Sequence, residues 1–244
     1  MGGLTPNFKY MPSKNSIKVY VENGIYHIYN RGVEKRDIFL DEQDYKIFLY
    51  YLKSYLLPKE QQEKSKLPYS IRFVKSFDLS KQVKLLAYCL MPNHFHLMVK
   101  QSTERAITDL MRRLSNAYVE YFNKKYNRQG PLFRGKYKAC LVENEVYLLY
   151  LSSYIHRNPF DLFSDKLSQK EKLEKLRQFQ YSSYADYLNK RITHWIYKNE
   201  ILSLFKEKVK IIDSELDYYG EFVEEHIPED VIEKSFIIED VEKT

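Results

Sequence analysis

Two histidines one residue apart, His94 and His96, stand inside the run VKLLAYCLMPNHFHLMVK, Val83–Lys100. Apolar stretches on either side of Pro92-Asn93 predict two β-strands joined by a tight turn. Side chains alternate along a strand, so both imidazoles project from one face, within reach of a single metal ion. Phe95 and Leu97 then pack on the other face. Two imidazoles do not fill a coordination sphere, and the same spacing also describes two hydrogen-bonded histidines with no chemistry. Further along, EVYLLYLSSYIHRN, Glu145–Asn158, precedes Pro159 and predicts a helix capped by Asn144. The proline should drive Asn158 out of helical geometry at the C-terminus. Tyr154 and Asn158, four apart, share a helix face. Tyr147, Tyr150 and Tyr154 also form an aromatic stripe of the kind that ordinarily faces a core.

Several elements must position these groups. GIYHIYN, Gly24–Asn30, alternates as a first strand, ended by Arg31-Gly32; His27 within it faces either core or ligand and receives no role. Asp41 caps a helix running to about Leu57, with Asp44 three residues on and Pro58 as the stop. Residues 58–70 form a polar loop, and 71–77 add a strand or extend the next one. Thr103 to about Tyr126 has strong helical periodicity through Ile107, Leu110, Met111, Leu114, Tyr118 and Phe122. Leu132–Val142 reads as a further strand with Arg134, Lys136 and Lys138 alternating on one face. The order strand, helix, strand, strand, helix, strand is that of an α+β, split β-α-β (ferredoxin/RRM-like) antiparallel sheet. Both helices lie on one face, and the opposite face is open for a ligand. The division expected is a flexible basic arm (1–20), the catalytic domain (21–160), a mostly helical C-terminal extension (161–212) and an acidic tail (213–244).

Charge is uneven along the 244 residues. Residues 1–160 carry 26 Lys and Arg against 14 Asp and Glu, whereas residues 161–244 carry 13 against 19. A basic first segment fits a polyanionic partner, nucleic acid foremost, although a merely solvated basic surface has the same composition. The 23 Tyr and 14 Phe suit stacking on bases as well as a core. Cys89 and Cys140 both lie in apolar strand-like runs, so neither a disulfide framework nor a cysteine zinc site is implied, and a reduced, cytoplasmic setting fits. No apolar run is long enough for a membrane span.

LMPNHFHLMV and YIHRNP, with YFNKKYNRQGPLFRGKYKA between them, resemble the single-tyrosine HUH transposases of bacterial insertion sequences, in particular the REP-associated tyrosine transposases. The likeness runs from about Gly24 to Phe160. It implies that His94 and His96 bind a divalent metal ion, Mg²⁺ or Mn²⁺. It also implies that Tyr154 is the nucleophile and that Asn158 is a third ligand; related transposases carry Gln where this chain has the shorter Asn. The implied activity is nicking and rejoining of single-stranded DNA, often a hairpin, through a 5′-phosphotyrosine. Arg112, Arg113, Arg134, Lys136 and Lys138 are the candidate phosphate contacts. His156 points off the tyrosine face and reads as structural, while Arg157 is near enough in sequence to favour a phenolate. Family members include dimers that exchange the tyrosine helix and others that act alone, so a homodimer stays open. A domesticated or inactive relative that only binds structured DNA or RNA is the alternative.

Overall fold

The computed structural model describes residues 20–61, 77–212 and 218–225. The basic arm up to residue 19, the loop beyond Gln61 and nearly all of the strand expected over 71–77 lie outside the described residues. Four strands form one antiparallel sheet: β1 (Ile25–Arg31), β2 (Val83–Met91), β3 (His94–Gln101) and β4 (Lys138–Leu141), in the order β2-β3-β1-β4. With α1 (Glu42–Leu56) after β1 and α2 (Ala106–Lys125) after β3, this is the expected split β-α-β arrangement.

α1 and α2 cover one face, closing a core around Phe48, Leu52, Phe95, Leu97, Leu110, Leu114 and Tyr118. Asp44 explains why the two helices hold their angle. It completes the capping box with Asp41 at the start of α1, then accepts bonds from Tyr121 and Tyr126 and pairs with Lys125 near the end of α2. A fully buried carboxylate would be costly alone; here both of its oxygens accept from donors.

The opposite face is not open. α3 (Glu145–Arg157) lies across β2 and β3 and shares a second core with Leu86, Ala87, Cys89, Met91 and Met98. The reason is legible in β2: VKLLAYCLM is apolar on both faces, and an uncovered face of Leu, Ala, Cys and Met would cost hydrophobic free energy. α4 (Gln169–Gln178), α5 (Tyr184–Tyr187), α6 (Asn199–Ile212) and α7 (Tyr219–Glu225) extend this layer. α7 falls inside the stretch expected as an acidic tail. It folds because Tyr219, Phe222 and Val223 sit at helical spacing and are buried against α3.

Two further expectations change. The strand expected over 132–142 shrinks to β4, because the chain kinks at Gly135 (φ +72°), whose N–H bonds back to Phe133 O at 2.8 Å. Arg134, Lys136 and Lys138 therefore do not alternate along one strand. Asn158 keeps helical angles (φ −45°, ψ −40°) despite Pro159, since the chain tightens into a 3₁₀ turn over Asn158–Leu162 rather than leaving the helix.

Candidate active site

The sheet register assembles the site. β1 lies beside β3 with Tyr29 opposite His96 and Arg31 opposite His94; β4 places Lys138 opposite Tyr29. Directly opposed residues point the same way, so His94, His96, His27, Tyr29, Arg31 and Lys138 share the face on which α3 lies. The aromatic rings are close: His94 and His96 centroids are 4.9 Å apart, and His96 and Tyr29 6.2 Å. From above, α3 brings Tyr154 edge-on to the same group, its ring 5.5 Å from that of His96 and 6.4 Å from that of His27.

One turn on, Asn158 is oriented by its own helix. Its Nδ2 donates to Tyr154 O at 3.4 Å, and its Oδ1 faces His94 Nε2 at 3.1 Å. On the far side of the ring, His94 Nδ1 is 2.6 Å from Asn93 Oδ1, an acceptor. Asn93 is held in turn by its Nδ2 on Lys35 O and its backbone carbonyl on Gly32 N–H. With its proton on the Asn93 side, His94 presents a bare nitrogen to an amide oxygen. Two lone pairs facing each other repel unless a positive group takes both. His96 Nε2 adds a third atom of this kind: it is buried and makes no hydrogen bond among the described residues. Two imidazole nitrogens and an amide oxygen fit a divalent ion with open positions. No cluster of three or more His, Cys, Asp and Glu suited to a metal occurs among the described residues.

Burial keeps the His27 and His96 rings neutral. It lowers His27 to about 3, and it lowers His96 well below its ordinary value, with the neighbouring His94 and His27 acting in the same direction.

The remaining candidates divide. Lys138 reaches the site face, and Arg134 and Lys136 are exposed on the segment leading into β4, where Arg134 N–H bonds Arg31 O. Arg112 and Arg113 do not join them. They are on α2, across the sheet, where Arg112 pairs with Asp109 and Arg113 lies over the Phe77 ring at 3.5 Å. The periodicity of α2 left the arginines off the core stripe but could not say which side of the sheet that helix would take. Arg157 also turns away from Tyr154: its Nη1 bonds the carbonyls of Val223 and Glu224 at the end of α7. His156 is structural, as expected, bonded to Tyr219 Oη at 2.9 Å and Ser183 Oγ at 2.8 Å. Tyr29, Arg31 and His27 received no role from the sequence. Their odd-position alternation in IYHIYNR was the available signal, useful once β1 is paired with β3.

Residues 59–158 match the family described as "Transposase IS200 like". No curated protein matches the chain. Among solved structures, a REP-associated tyrosine transposase bound to a REP hairpin is similar at 9% identity and a TM-score of 0.49, covering 72% of this chain and 86% of that one. A putative transposase from Deinococcus radiodurans R1 is similar at 14% identity and 0.34, covering 60% and 97%. The tRNA(His) guanylyltransferase of Saccharomyces cerevisiae reaches 13% and 0.31, covering 89% and 90%.

Proposed function

From the similarity of residues 59–158 to the IS200-like transposases, we propose a metal-dependent single-strand DNA endonuclease and strand transferase with Tyr154 as nucleophile. The observation that carries this reading is the meeting, within one chain, of the Tyr154 ring with His96 and of Asn158 Oδ1 with His94 Nε2. His94 Nε2, His96 Nε2 and Asn158 Oδ1 would hold a Mg²⁺ or Mn²⁺ ion. When bound, such an ion offsets negative charge on the scissile phosphate and on the departing oxygen.

The chain's own groups do the rest. Tyr154 sits on a helix clamped at both faces, so its phenol is held in place rather than swinging on a loop. Having lost its proton, it attacks phosphorus; the Tyr O–P bond forms as the P–O3′ bond breaks. The bond's electron pair leaves with the 3′ oxygen, which takes up a proton and becomes a 3′-OH. The product is a 5′-phosphotyrosine whose phosphodiester remains intact in kind, so another 3′-OH can displace Tyr154 and reseal the strand. Arg31, Arg134, Lys136 and Lys138, at the β1 and β4 side of the site, are the proposed phosphate contacts, and Tyr29 offers a ring for base stacking. The substrate is single-stranded DNA carrying a hairpin.

The test is a labelled hairpin with a single-stranded flank, incubated with Mg²⁺ or Mn²⁺. Wild type should give a covalent protein–DNA adduct stable to denaturation, and Tyr154→Phe should give none. An adduct of equal yield in that variant would move the nucleophile elsewhere. Tight hairpin binding with no adduct in wild type would leave a relative that binds without cutting.

A further inference from the structure

The chemistry above leaves one buried polar group of the site without a task. His27 is fully buried, and its Nε2 lies 2.8 Å from His96 Nδ1, with the rings stacked at 15° and centroids 5.0 Å apart. Each neutral imidazole carries one proton on one of two nitrogens. A hydrogen bond between these two rings therefore has just two forms. If His27 Nε2 donates, His96 is the Nε2–H tautomer, and its proton occupies the nitrogen that faces the cation site, beside the Asn158 amide. Either form leaves one ring proton on a buried nitrogen, His96 Nε2 in this one and His27 Nδ1 in the other, with no hydrogen bond seen there among the described residues, so ligation is what separates them: a protonated nitrogen cannot be a ligand. If His96 Nδ1 donates, His96 Nε2 is a bare lone pair aimed at the site. The neighbouring His94 has a similar placement of atoms, its Nδ1 2.6 Å from Asn93 Oδ1 and its Nε2 towards Asn158.

We propose that His27 is a positioning residue: its Nε2 accepts the Nδ1 proton of His96, fixing that ring's tautomer and rotation so that a bare Nε2 faces the cation site. This rests on the metal reading above and adds a part to it. Groups that hold a ligating histidine from behind commonly matter 10–100-fold to metal affinity. Here the holder is a strand neighbour that the H-x-H pair does not contain.

The test uses the full chain with ¹⁵N-labelled histidine. Long-range ¹H–¹⁵N spectra of the metal-free protein at pH 7.5 should show His96 as the Nδ1–H tautomer, and Mn²⁺ titration followed by electron paramagnetic resonance gives the affinity. His27→Phe keeps an aromatic ring but removes the acceptor; it should shift His96 towards Nε2–H and weaken Mn²⁺ binding about 10–100-fold. His27→Gln restores an acceptor oxygen and should recover most of that loss, which a purely packing role would not predict. Wild-type His96 found as Nε2–H, or His27→Phe binding Mn²⁺ as wild type does, overturns the proposal. If His27→Phe fails to fold, the wild-type tautomer and His27→Gln still decide it. If wild type takes up no Mn²⁺ while His96 is Nδ1–H, the metal reading fails and the hydrogen-bond assignment stands, so the two failures are distinguishable.

Discussion

Asn158 shows how much a single side chain is asked to do here. Its amide nitrogen ties it to the tyrosine's own carbonyl, and its oxygen is turned to His94. Removing the oxygen should therefore weaken the proposed ion site directly. Asn158→Ala is expected to lower Mn²⁺ affinity at least about tenfold, roughly 1.4 kcal/mol, and to lower adduct yield with it, while hairpin binding without metal is unchanged. Equal Mn²⁺ titration curves for the two proteins would remove Asn158 from the ligand set. A second residue, His156, makes a prediction about pH. Burial, with Arg191 nearby, lowers it from 6.5 to about 3 in the fold. Between those values the unfolded chain binds a proton that the folded chain does not, so its contribution is complete above about 6.5 and declines as pH falls towards 3. At up to about 1.4 kcal/mol per pH unit, the loss from pH 7.5 to 5.0 is about 2 kcal/mol. Urea unfolding of His156→Gln at the two pH values should show a pH dependence smaller by that amount; an unchanged one contradicts the assignment.

At the scale of elements, the tyrosine helix is fixed by what lies behind it. α3 faces the site with Tyr154 and the C-terminal helices with His156 and Ser152, and a buried polar chain runs from Ser152 through Tyr219 and His156 to Ser183. Ser183 also closes on β2, accepting from Tyr88 N–H at 2.9 Å. The segment around it caps the outer edge of the sheet: Leu90 N–H bonds Tyr181 O, Ser183 N–H bonds Tyr88 O, and Tyr197 N–H bonds Leu85 O. A bare β2 edge would otherwise offer itself to another chain. Ser183→Ala leaves Tyr88 N–H and His156 short of a partner inside the protein, and should cost about 1–3 kcal/mol. Chemical denaturation measures this, and a change below about 0.5 kcal/mol would mean that water or repacking replaces the hydroxyl.

At the scale of the whole molecule, a single chain carries both halves of the proposed site. α3 is packed on its own sheet and against its own α6 and α7, so the tyrosine should act on the DNA held by its own histidines. Mixing His96→Ala with Tyr154→Phe is then expected to yield no adduct, whereas exchange of α3 between two copies would restore it. The basic first 160 residues imply a second outcome. Hairpin binding should weaken steeply with salt, the slope of log K against log salt reporting phosphate contacts at about 0.7 each for a single strand; a flat dependence would remove the electrostatic part of the interface.

How much of this was written in the chain itself differs by kind of interaction. Local periodicity and capping foretold both long helices, the H-x-H strand and the Asn144-capped tyrosine helix, because alternation, helical spacing and caps are properties of neighbours in sequence. The element order was enough to expect a split β-α-β antiparallel sheet, while the strand order β2-β3-β1-β4 came from the fold. What the sequence could not hold was the fate of each sheet face. The face expected to be open is covered by α3, with α7 packed behind it, the arginines of α2 ended on the far side, and the kink at Gly135 took Arg134 and Lys136 off the strand. His27 reached His96 only through a register between residues 69 apart in sequence. Those outcomes depend on which apolar surfaces bury one another across the fold, and only the tertiary structure decides that.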